Sequence, residues 1–446
     1  MRNLKRVLSL VMAVAMLIGL MVVSASAAST YDNFTDKDEI VNKEAVNTMV
    51  SLGVINGKED GSYFDPTGIV TRAEMAKLIA VTLNGGKDPL LGTGAVTTQF
   101  SDVASNYWAA PYIAYCANLG IINGRGDGTF GPEEPVTGTA AAKMMLTALG
   151  YRSDIEGLTG TGWDLNTDTL ANKVGLYDGM SIVPSNGLSR DNTAQLIYNG
   201  VQADEVEYRN NYGEYSGVIY AQPVNGVGNN STVLYTRFNV QKVEGVVVAT
   251  SLIALSGNTT VDGKTRLSQI EYNGSRYDAN NKSWGDVTYP IAIDSNLLGQ
   301  RVVIYVKGLN ALSPNATSME VVGTAIVSDD NAVVETSARL KDDKAVKDAL
   351  KGSGIAVEGQ QSELLITYKD TVRTAWDSSS DSQTNAGKNY FNGVVDMPGL
   401  SQTFIDNNAD GTVDVIIQKE HTLTKVNTYN DSKETLNLSV IGTVDF

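Results

Sequence analysis

The sequence predicts a multidomain protein: an N-terminal all-α region of three helix–loop–helix repeats, followed by mainly β modules. Three observations carry this reading. Glycine, proline and hydroxyl landmarks recur in phase three times between residues 30 and 204. The hydrophobic period changes from helical to strand-like after residue 204. The chain has 446 residues, 42% of them apolar and 19% charged, which suits several packed domains.

The chain opens on an export signal, residues 1–28. Arg2, Lys5 and Arg6 precede an apolar stretch from Val7 to Val23, and Ala25-Ser26-Ala27 supplies a cleavage site. The alternative is an uncleaved anchor, because the stretch is long for a signal. No later segment reaches spanning length, so no membrane association is expected after cleavage. The formal charge of −16 argues against nucleic acid. The single cysteine, Cys116, and single histidine, His421, exclude a zinc site built from those ligands. Cys116 lies in the helical pattern "YIAYCANLGI" and reads as a small buried hydrophobe rather than a nucleophile.

The repeats align on "SLGVING", "NLGIING" and "KVGLYDG". Pro66 precedes Thr71 by five residues, Pro132 precedes Thr137 by five, and Pro184 precedes Ser189 by five. Trp108 and Trp163 each stand twelve residues before their glycine, where the first copy has Val41. The copies span 30–86, 98–151 and 160–204, with Gly-rich linkers near 84–97 and 157–162. In each, one helix stops at a glycine suited to a left-handed cap, an Asp-Gly or related turn follows, and a second helix starts at Thr or Ser. Thr71-Arg72-Ala73-Glu74 has the spacing of a capping box.

Arg72 and Arg190 then stand at the first helical position, where the dipole disfavours a cation by about a few tenths of a kcal/mol. A helix N-terminus with an arginine suits a carboxylate or phosphate. The bland alternative is a solvated arginine in a surface ion pair. Recurrence in two of three copies favours the anion site, and Gly138 in the second copy weakens or removes its own. Arg125-Gly126-Asp127 spells an adhesion tripeptide but falls inside the repeated turn, which already explains its glycine and aspartate.

"FSDVASNYWAAPYIAYCANLGIINGRGDGTFGP" and "VTRAEMAKLI" resemble the S-layer homology domain, found as three tandem copies in exported bacterial proteins. The resemblance implies a pseudo-threefold bundle outside the cell, bound without covalent linkage to an acidic, in some cases pyruvylated, secondary cell-wall polysaccharide or other peptidoglycan-linked polymer. It implies polymer binding by Arg72, Arg190, Thr71, Asp36, Asp102, Trp108 and Trp163. For the tryptophans, with Tyr107 nearby, core packing is the alternative. The first copy departs by lacking the tryptophan, the second by lacking the arginine, and the third by losing most of its turn consensus.

From 205 on, runs such as "STVLYTRF", "VEGVVVAT" and "QRVVIYVKG" alternate with Asn, Gly, Asp and Ser clusters, as strands and turns do. The helical "KDDKAVKDALKGSG", 341–354, divides a β module at 205–340 from a second at 341–446. "DSSSDSQTNAGK", 377–388, reads as a loop. These modules resemble the spacer or array-forming regions behind such anchors, so a surface-layer or structural role with self-assembly is expected. The closing "LNLSVIGTVDF" ends on apolar residues, as in a fragment or an edge that pairs with another molecule. No G-x-S-x-G, S-x-x-K or H-E-x-x-H occurs, so no enzyme is expected. The alternatives are an anchored hydrolase using two carboxylates, or an anchored adhesin, with its activity in 205–446. No cofactor is required, although calcium is possible. In "DNNADGTVDVII", Asp406, Asn408, Asp410, Gly411 and Asp414 fall at positions 1, 3, 5, 6 and 9 of a calcium loop. Ile417 stands where a bidentate glutamate belongs, and a β-hairpin turn is the favoured alternative.

Overall fold

The computed structural model describes residues 31–445 apart from 59–60, 90–94, 211–218, 227–229, 256–257, 273–274, 277–284, 310–317, 338–342, 358–364, 370–371, 375–399, 421–425, 431–434 and 439–441. The export signal, the 377–388 loop and His421 lie outside the described residues. Helices occupy the N-terminal part and sheets follow, and the chain divides into two units. The first comprises Ala27–Lys242 with Ile304–Thr324; the second comprises Val243–Val303 with Ala325–Phe446. No helix among the described residues is long and apolar enough to cross a membrane.

In the first unit, six helices come in sequence pairs: α1 (Lys43–Ser51) and α2 (Arg72–Leu83), α3 (Ala110–Asn118) and α4 (Gly138–Ala148), α5 (Trp163–Lys173) and α6 (Arg190–Gln202). The packing pairs are different. Helix α2 packs on α3, α4 on α5, and α6 returns to α1. Gly53, Gly120 and Gly175 each adopt the left-handed conformation just past a first helix, with φ of 75°, 74° and 78°. That geometry is open to glycine at little steric cost.

One backbone pattern explains the exchange of partners. The residues before the three N-caps hydrogen-bond in a cycle: Val70 N–H donates to Leu188 C=O at 3.0 Å, Leu188 to Val136 at 2.9 Å, and Val136 to Val70 at 2.9 Å. All three side chains are buried. The first two amides of each following helix are also taken from outside. Arg72 and Ala73 donate to Glu134 and Pro132, Gly138 and Thr139 to Asn186 and Pro184, and Arg190 and Asp191 to Gly68 and Pro66. The third amide is held by the cap hydroxyl of Thr71, Thr137 or Ser189. Glu74 completes the capping box on α2 by accepting from the Thr71 amide at 2.8 Å. The orphan donors of these helix starts are thus satisfied by protein.

The apolar faces meet in a core containing Met75, Ile79, Ile113, Met145, Leu146 and Ile197, all fully buried. Cys116 belongs to it: the thiol lies 3.4 Å from the Ala76 carbonyl, and burial pushes it up to about 12. The same unit contains the hairpin of β1 (Val206–Asn210) and β2 (Ile219–Pro223) and helix α7 (Val233–Phe238). Arg237 of α7 donates to Glu205 through Nε at 2.8 Å.

Six further strands form a sheet: β3 (Val240–Ala249), β4 (Thr265–Tyr272), β5 (Ser275–Arg276), β6 (Val287–Tyr289), β7 (Arg301–Lys307) and β8 (Glu320–Val327). The order is β5-β4-β3-β7-β8, with β6 also on β4. Tyr305 on β7 belongs to the helical unit. Its hydroxyl and that of Tyr198 on α6 both reach Glu44 Oε1 on α1, at 2.8 and 2.5 Å, and lie 2.6 Å from each other. Lys242 Nζ approaches the same carboxylate at 3.3 Å. This buried cluster ties the first and last of the six helices to a strand more than a hundred residues onward.

In the second unit, β9 (Ala332–Thr336), β10 (Leu365–Lys369), β11 (Val372–Thr374), β12 (Leu400–Asp406) and β13 (Val415–Glu420) form a sheet in the order β11-β10-β13-β12-β9. Strands β10 and β13 run parallel, whereas β12–β13 is an antiparallel hairpin. Helix α8 (Asp343–Ala349) contributes Val346 to a cluster with Leu350, Ile355, Phe404, Val413 and Ile416. Arg301, only 2% exposed, donates from Nε to the Asn407 carbonyl at 2.9 Å, and Asn407 Nδ2 reaches Gly299 O at 2.9 Å. Strands β14 (Val426–Asn430), β15 (Thr435–Leu438) and β16 (Gly442–Asp445) form a separate antiparallel sheet.

Replacing Tyr305 by Phe removes one hydroxyl from the Glu44 cluster without removing its ring. The loss should be about 1–2 kcal/mol of unfolding free energy, because a buried hydrogen bond to a charged group is broken. A denaturant titration of the full chain checks this, and unchanged stability would show that Glu44 is held equally well by Tyr198 and Lys242.

Candidate functional site

The two arginines do not stand free at helix starts. Arg72 Nε donates to the Phe130 carbonyl at 2.8 Å, and its guanidinium lies over the Phe130 ring at 4.6 Å. Arg190 repeats this on Phe64, with Nε to the carbonyl at 2.7 Å and the guanidinium 5.1 Å from the ring centre. Its second nitrogen reaches Asn56 O at 3.0 Å. Each arginine therefore leaves its own copy and grips the turn of another. Among the described residues neither makes an ion pair, and the backbone amides beside them are already occupied. An anion here would meet the guanidinium edge and neighbouring side chains, not a bare helix terminus.

Asp36 and Asp102 hold the same turns from the other side. Asp36 accepts from the Phe64 and Asp65 amides at 2.9 and 2.7 Å, and Asp102 from Phe130 and Gly131 at 2.8 and 2.7 Å. Burial raises the Asp102 pKa, but the two amides and Arg125 outweigh it and hold the carboxyl below its ordinary value. Phe34 stacks against Phe64 and Phe100 against Phe130, with centres 5.3 and 5.5 Å apart. One peptide in each turn thus gives its N–H to an aspartate and its C=O to an arginine.

The third copy has lost every part of this arrangement together. Counting from Trp108 and Trp163, Ile155 replaces Phe100 and Gly157 replaces Asp102; counting from the prolines, Ile182 replaces Phe130. The arginine that would grip this turn belongs to position 138, which is glycine. A Cβ there would lie 3.0 Å from both Cα and O of Pro184 and 3.3 Å from Ile182 Cδ1. Backbone fills the space that an arginine would use.

The aromatic residues divide. Trp108 is 49% exposed and faces Tyr107 and Tyr112, at 5.7 and 6.4 Å between rings. Tyr107 donates to Glu133 at 2.5 Å, and Tyr112 to Asp88 at 2.5 Å. Trp163 is half-buried, with Lys143 Nζ 5.0 Å from its ring centre. Sequence reasoning missed Lys143. Its signal was the second-helix lysine in "TRAEMAK" and "TGTAAAK", which places Lys77 and Lys143 at matching positions. Lys77 lies 5.6 Å over Tyr112. Burial lowers the Lys143 pKa and the Arg72 charge lowers it further. Thr71 is the N-cap of α2, its hydroxyl accepting from the Glu74 amide.

The 406–414 segment closes the β12–β13 hairpin. Asp406 accepts from the Asn408 and Gly411 amides at 3.1 and 2.9 Å, Asn408 from Asp410 at 3.0 Å, and Asp410 from Thr412 at 2.7 Å. Asp414 accepts from the Asn407 amide at 2.9 Å. Among the described residues no group of three or more His, Cys, Asp or Glu side chains is arranged to hold a metal ion.

Comparison with known proteins follows this geometry. Residues 33–76 and 99–142 match the family model of the S-layer homology domain. The chain is 25% identical over 417 residues to a cell surface protein of Thermoanaerobacter kivui, covering 91% of this chain and 51% of that protein. It is 25% identical over 326 residues to a middle cell wall protein of Brevibacillus brevis, covering 68% and 28%. A 155-residue stretch is 30% identical to an uncharacterized cell wall amidase of Bacillus anthracis, covering 35% of this chain and 28% of that protein. The chain thus spans about half the length of the first relative and less of the other two. Residues 160–204 lie outside both matched stretches.

Two substitutions test the geometry. Gly138→Arg should lower stability by roughly 1–3 kcal/mol through overpacking against Pro184; a thermal melt equal to the parent's would mean that the third turn yields. The Asp414 carboxyl is raised by burial first and by Asp410 and Asp406 next, against the pull of the Asn407 amide and Arg301. A raised carboxyl favours the folded state while protonated, and that contribution is lost as pH rises through the folded pKa. Asp414→Asn should therefore gain stability relative to the parent as pH rises from about 4 to 7, and a pH-independent difference would show that Asp414 does not titrate with folding.

Proposed function

We propose that this S-layer homology protein, extracellular and associated with the bacterial cell wall, is held there without covalent linkage by an acidic secondary wall polysaccharide that docks on its helical unit. In this reading residues 30–204 form a pseudo-threefold bundle of three repeats, the third degenerate. Arg72 and Arg190 present guanidinium edges, Asp36, Asp102 and Thr71 set the turns that aim them, and Trp108 and Trp163 offer ring faces to sugar. The β-rich remainder, 205–340 and 341–446, serves as a surface-layer or structural region that pairs with further copies.

One observation carries the reading. Arg72 and Lys143 are brought within reach of each other's charge, neither has a carboxylate partner among the described residues, and the Trp163 ring lies against the lysine. Desolvated like charges are costly unless something neutralises them, and a sugar acid supplies a carboxylate together with an apolar face for the indole. The relatives named as cell surface and cell wall proteins support the same reading.

The full chain should co-sediment with isolated wall sacculi that carry an acidic polysaccharide. It should lose that binding when the sacculus carboxyls are converted to neutral amides. Binding that survives the conversion would leave the charge-based docking without support.

A further inference from the structure

The helical unit contains more than its repeats, and the added residues stand where the repeats are weakest. Two junctions of arginine, aromatic ring and aspartate tie the first copy to the second and the third to the first. Between the second and third copies that junction is missing, with Gly138 and Gly157 in place of the arginine and the aspartate. Residues beyond the repeats link those two copies instead. Val206 N–H, past α6, donates to the Leu149 carbonyl at the end of α4 at 2.8 Å. Tyr208 accepts from the Arg152 amide at 3.2 Å and donates to Glu156 at 2.6 Å. Helix α7 extends the link to α6 and α2. Val233 N–H donates to Ala203 C=O at 3.3 Å, and a Cβ on Gly86, past α2, would lie 3.2 Å from the Phe238 ring. The second helices are thus joined at both ends, by the amide cycle at their starts and by residues 206–238 at their finishes.

The contact of α6 with α1 closes the ring, and its middle differs from the other two. At matching positions the α2–α3 contact has Ala80 and Pro111, the α4–α5 contact Leu146 and Asn166, and the α6–α1 contact Tyr198 and Glu44. Asn42 and Asp191 hold the start of this contact, with Asn42 Nδ2 donating to the carboxylate at 2.7 Å. Further along, a buried hydroxyl and a carboxylate need more partners than the repeats supply. Tyr305 and Lys242 provide them. One turn on, Thr324 Oγ1 donates to the buried Asn47 Oδ1 at 3.3 Å. Gly323, with φ of 75°, lies so close to the end of α1 that a Cβ would come within 2.6 Å of Ser51 Oγ. Glu44, Asn47 and Ser51 form one stripe of α1, and residues from 305 to 324 cover it.

We infer that residues 205–242 and 304–324 are a clasp that completes the ring of repeats, and that α1 and α6 close on each other only once Tyr305 is in place. Tyr305 lies 107 residues beyond Tyr198, so closure depends on a segment far downstream of the last repeat. In a chain exported N-terminus first, the helical unit stays open until the strand carrying Tyr305 has emerged. Attachment to the wall then waits for the first part of the β-rich region, which keeps an unfinished chain from occupying wall sites. This last consequence rests on the wall-polymer reading above, whereas the order of closure does not.

The test follows refolding of the full chain from denaturant by pulsed hydrogen exchange, with samples taken in parallel for co-sedimentation with isolated sacculi. Amides of α3 and α4 should be protected first, and those of α1 and α6 later, in the same phase as β7. Sacculus binding should appear with that later phase. In the native state, Tyr305→Phe should speed exchange in α1 and α6 about tenfold or more, as expected for losing a buried hydrogen bond to a charged group. Exchange in α3 to α5 should change less than about twofold. Tyr177→Phe is the control: it removes a hydroxyl that donates to Asp168 on α5 at 2.7 Å, and it should leave α1 and α6 at the parent's rates. Protection of α1 and α6 before β7 would overturn the clasp, as would Tyr305→Phe accelerating all six helices equally or none. A parent chain that closes in the expected order but never binds sacculi would instead remove the wall-polymer reading and leave the clasp standing.

Discussion

Everything distinctive in the helical unit depends on the cycle of amides at Val70, Val136 and Leu188. Three short segments each donate to the next, so no copy can place its second helix without another copy's turn. The N-terminal amides of three helices are thereby satisfied by carbonyls rather than by water or ligand, which removes a cost that each helix would otherwise carry alone. It also brings the residue at the first helical position against a neighbouring turn. An arginine there has a carbonyl and an aromatic ring within reach, and that offsets its unfavourable place at the dipole's positive end.

A guanidinium has five N–H donors, and one given to a turn carbonyl leaves others directed elsewhere. The two turns differ in their charged residues: Gly131 stands where the other turn has Asp65, and Ala140 where α2 has Glu74. The second copy's own missing arginine follows the same logic. Gly138 faces Pro184 and Ile182 in a turn that has no aromatic ring to stack on and no aspartate beneath it.

Much of the fold was legible because local chemistry repeats. The glycine caps, the Thr71–Glu74 capping box and the six helix positions all stood in the sequence as spacing. The arginines were recognised as anomalous, but their partners were not, because Phe130 lies 58 residues from Arg72 and Phe64 lies 126 residues from Arg190. Asp36 and Asp102 stand in the aromatic–Asp motifs, yet their work of holding turn amides appears only in three dimensions. The sequence also gave no sign that Tyr305 and Lys242 join Glu44 in the helical unit, since a strand's tyrosine reads the same whichever core it enters. In the acidic segment, the spacing fits both a calcium loop and a turn. The structure directs Asp406, Asn408 and Asp410 to amides of their own hairpin.

The most direct test of the account is a double-mutant cycle on stability with Arg72→Ala and Asp102→Ala. Both side chains act on the Phe130–Gly131 peptide, Arg72 on its carbonyl and Asp102 on its N–H. The account predicts that the two losses are coupled by at least about 0.5 kcal/mol, because removing either partner loosens the turn that the other grips. Losses that add within about 0.3 kcal/mol would contradict it, since they would show the arginine and the aspartate acting on independent structures.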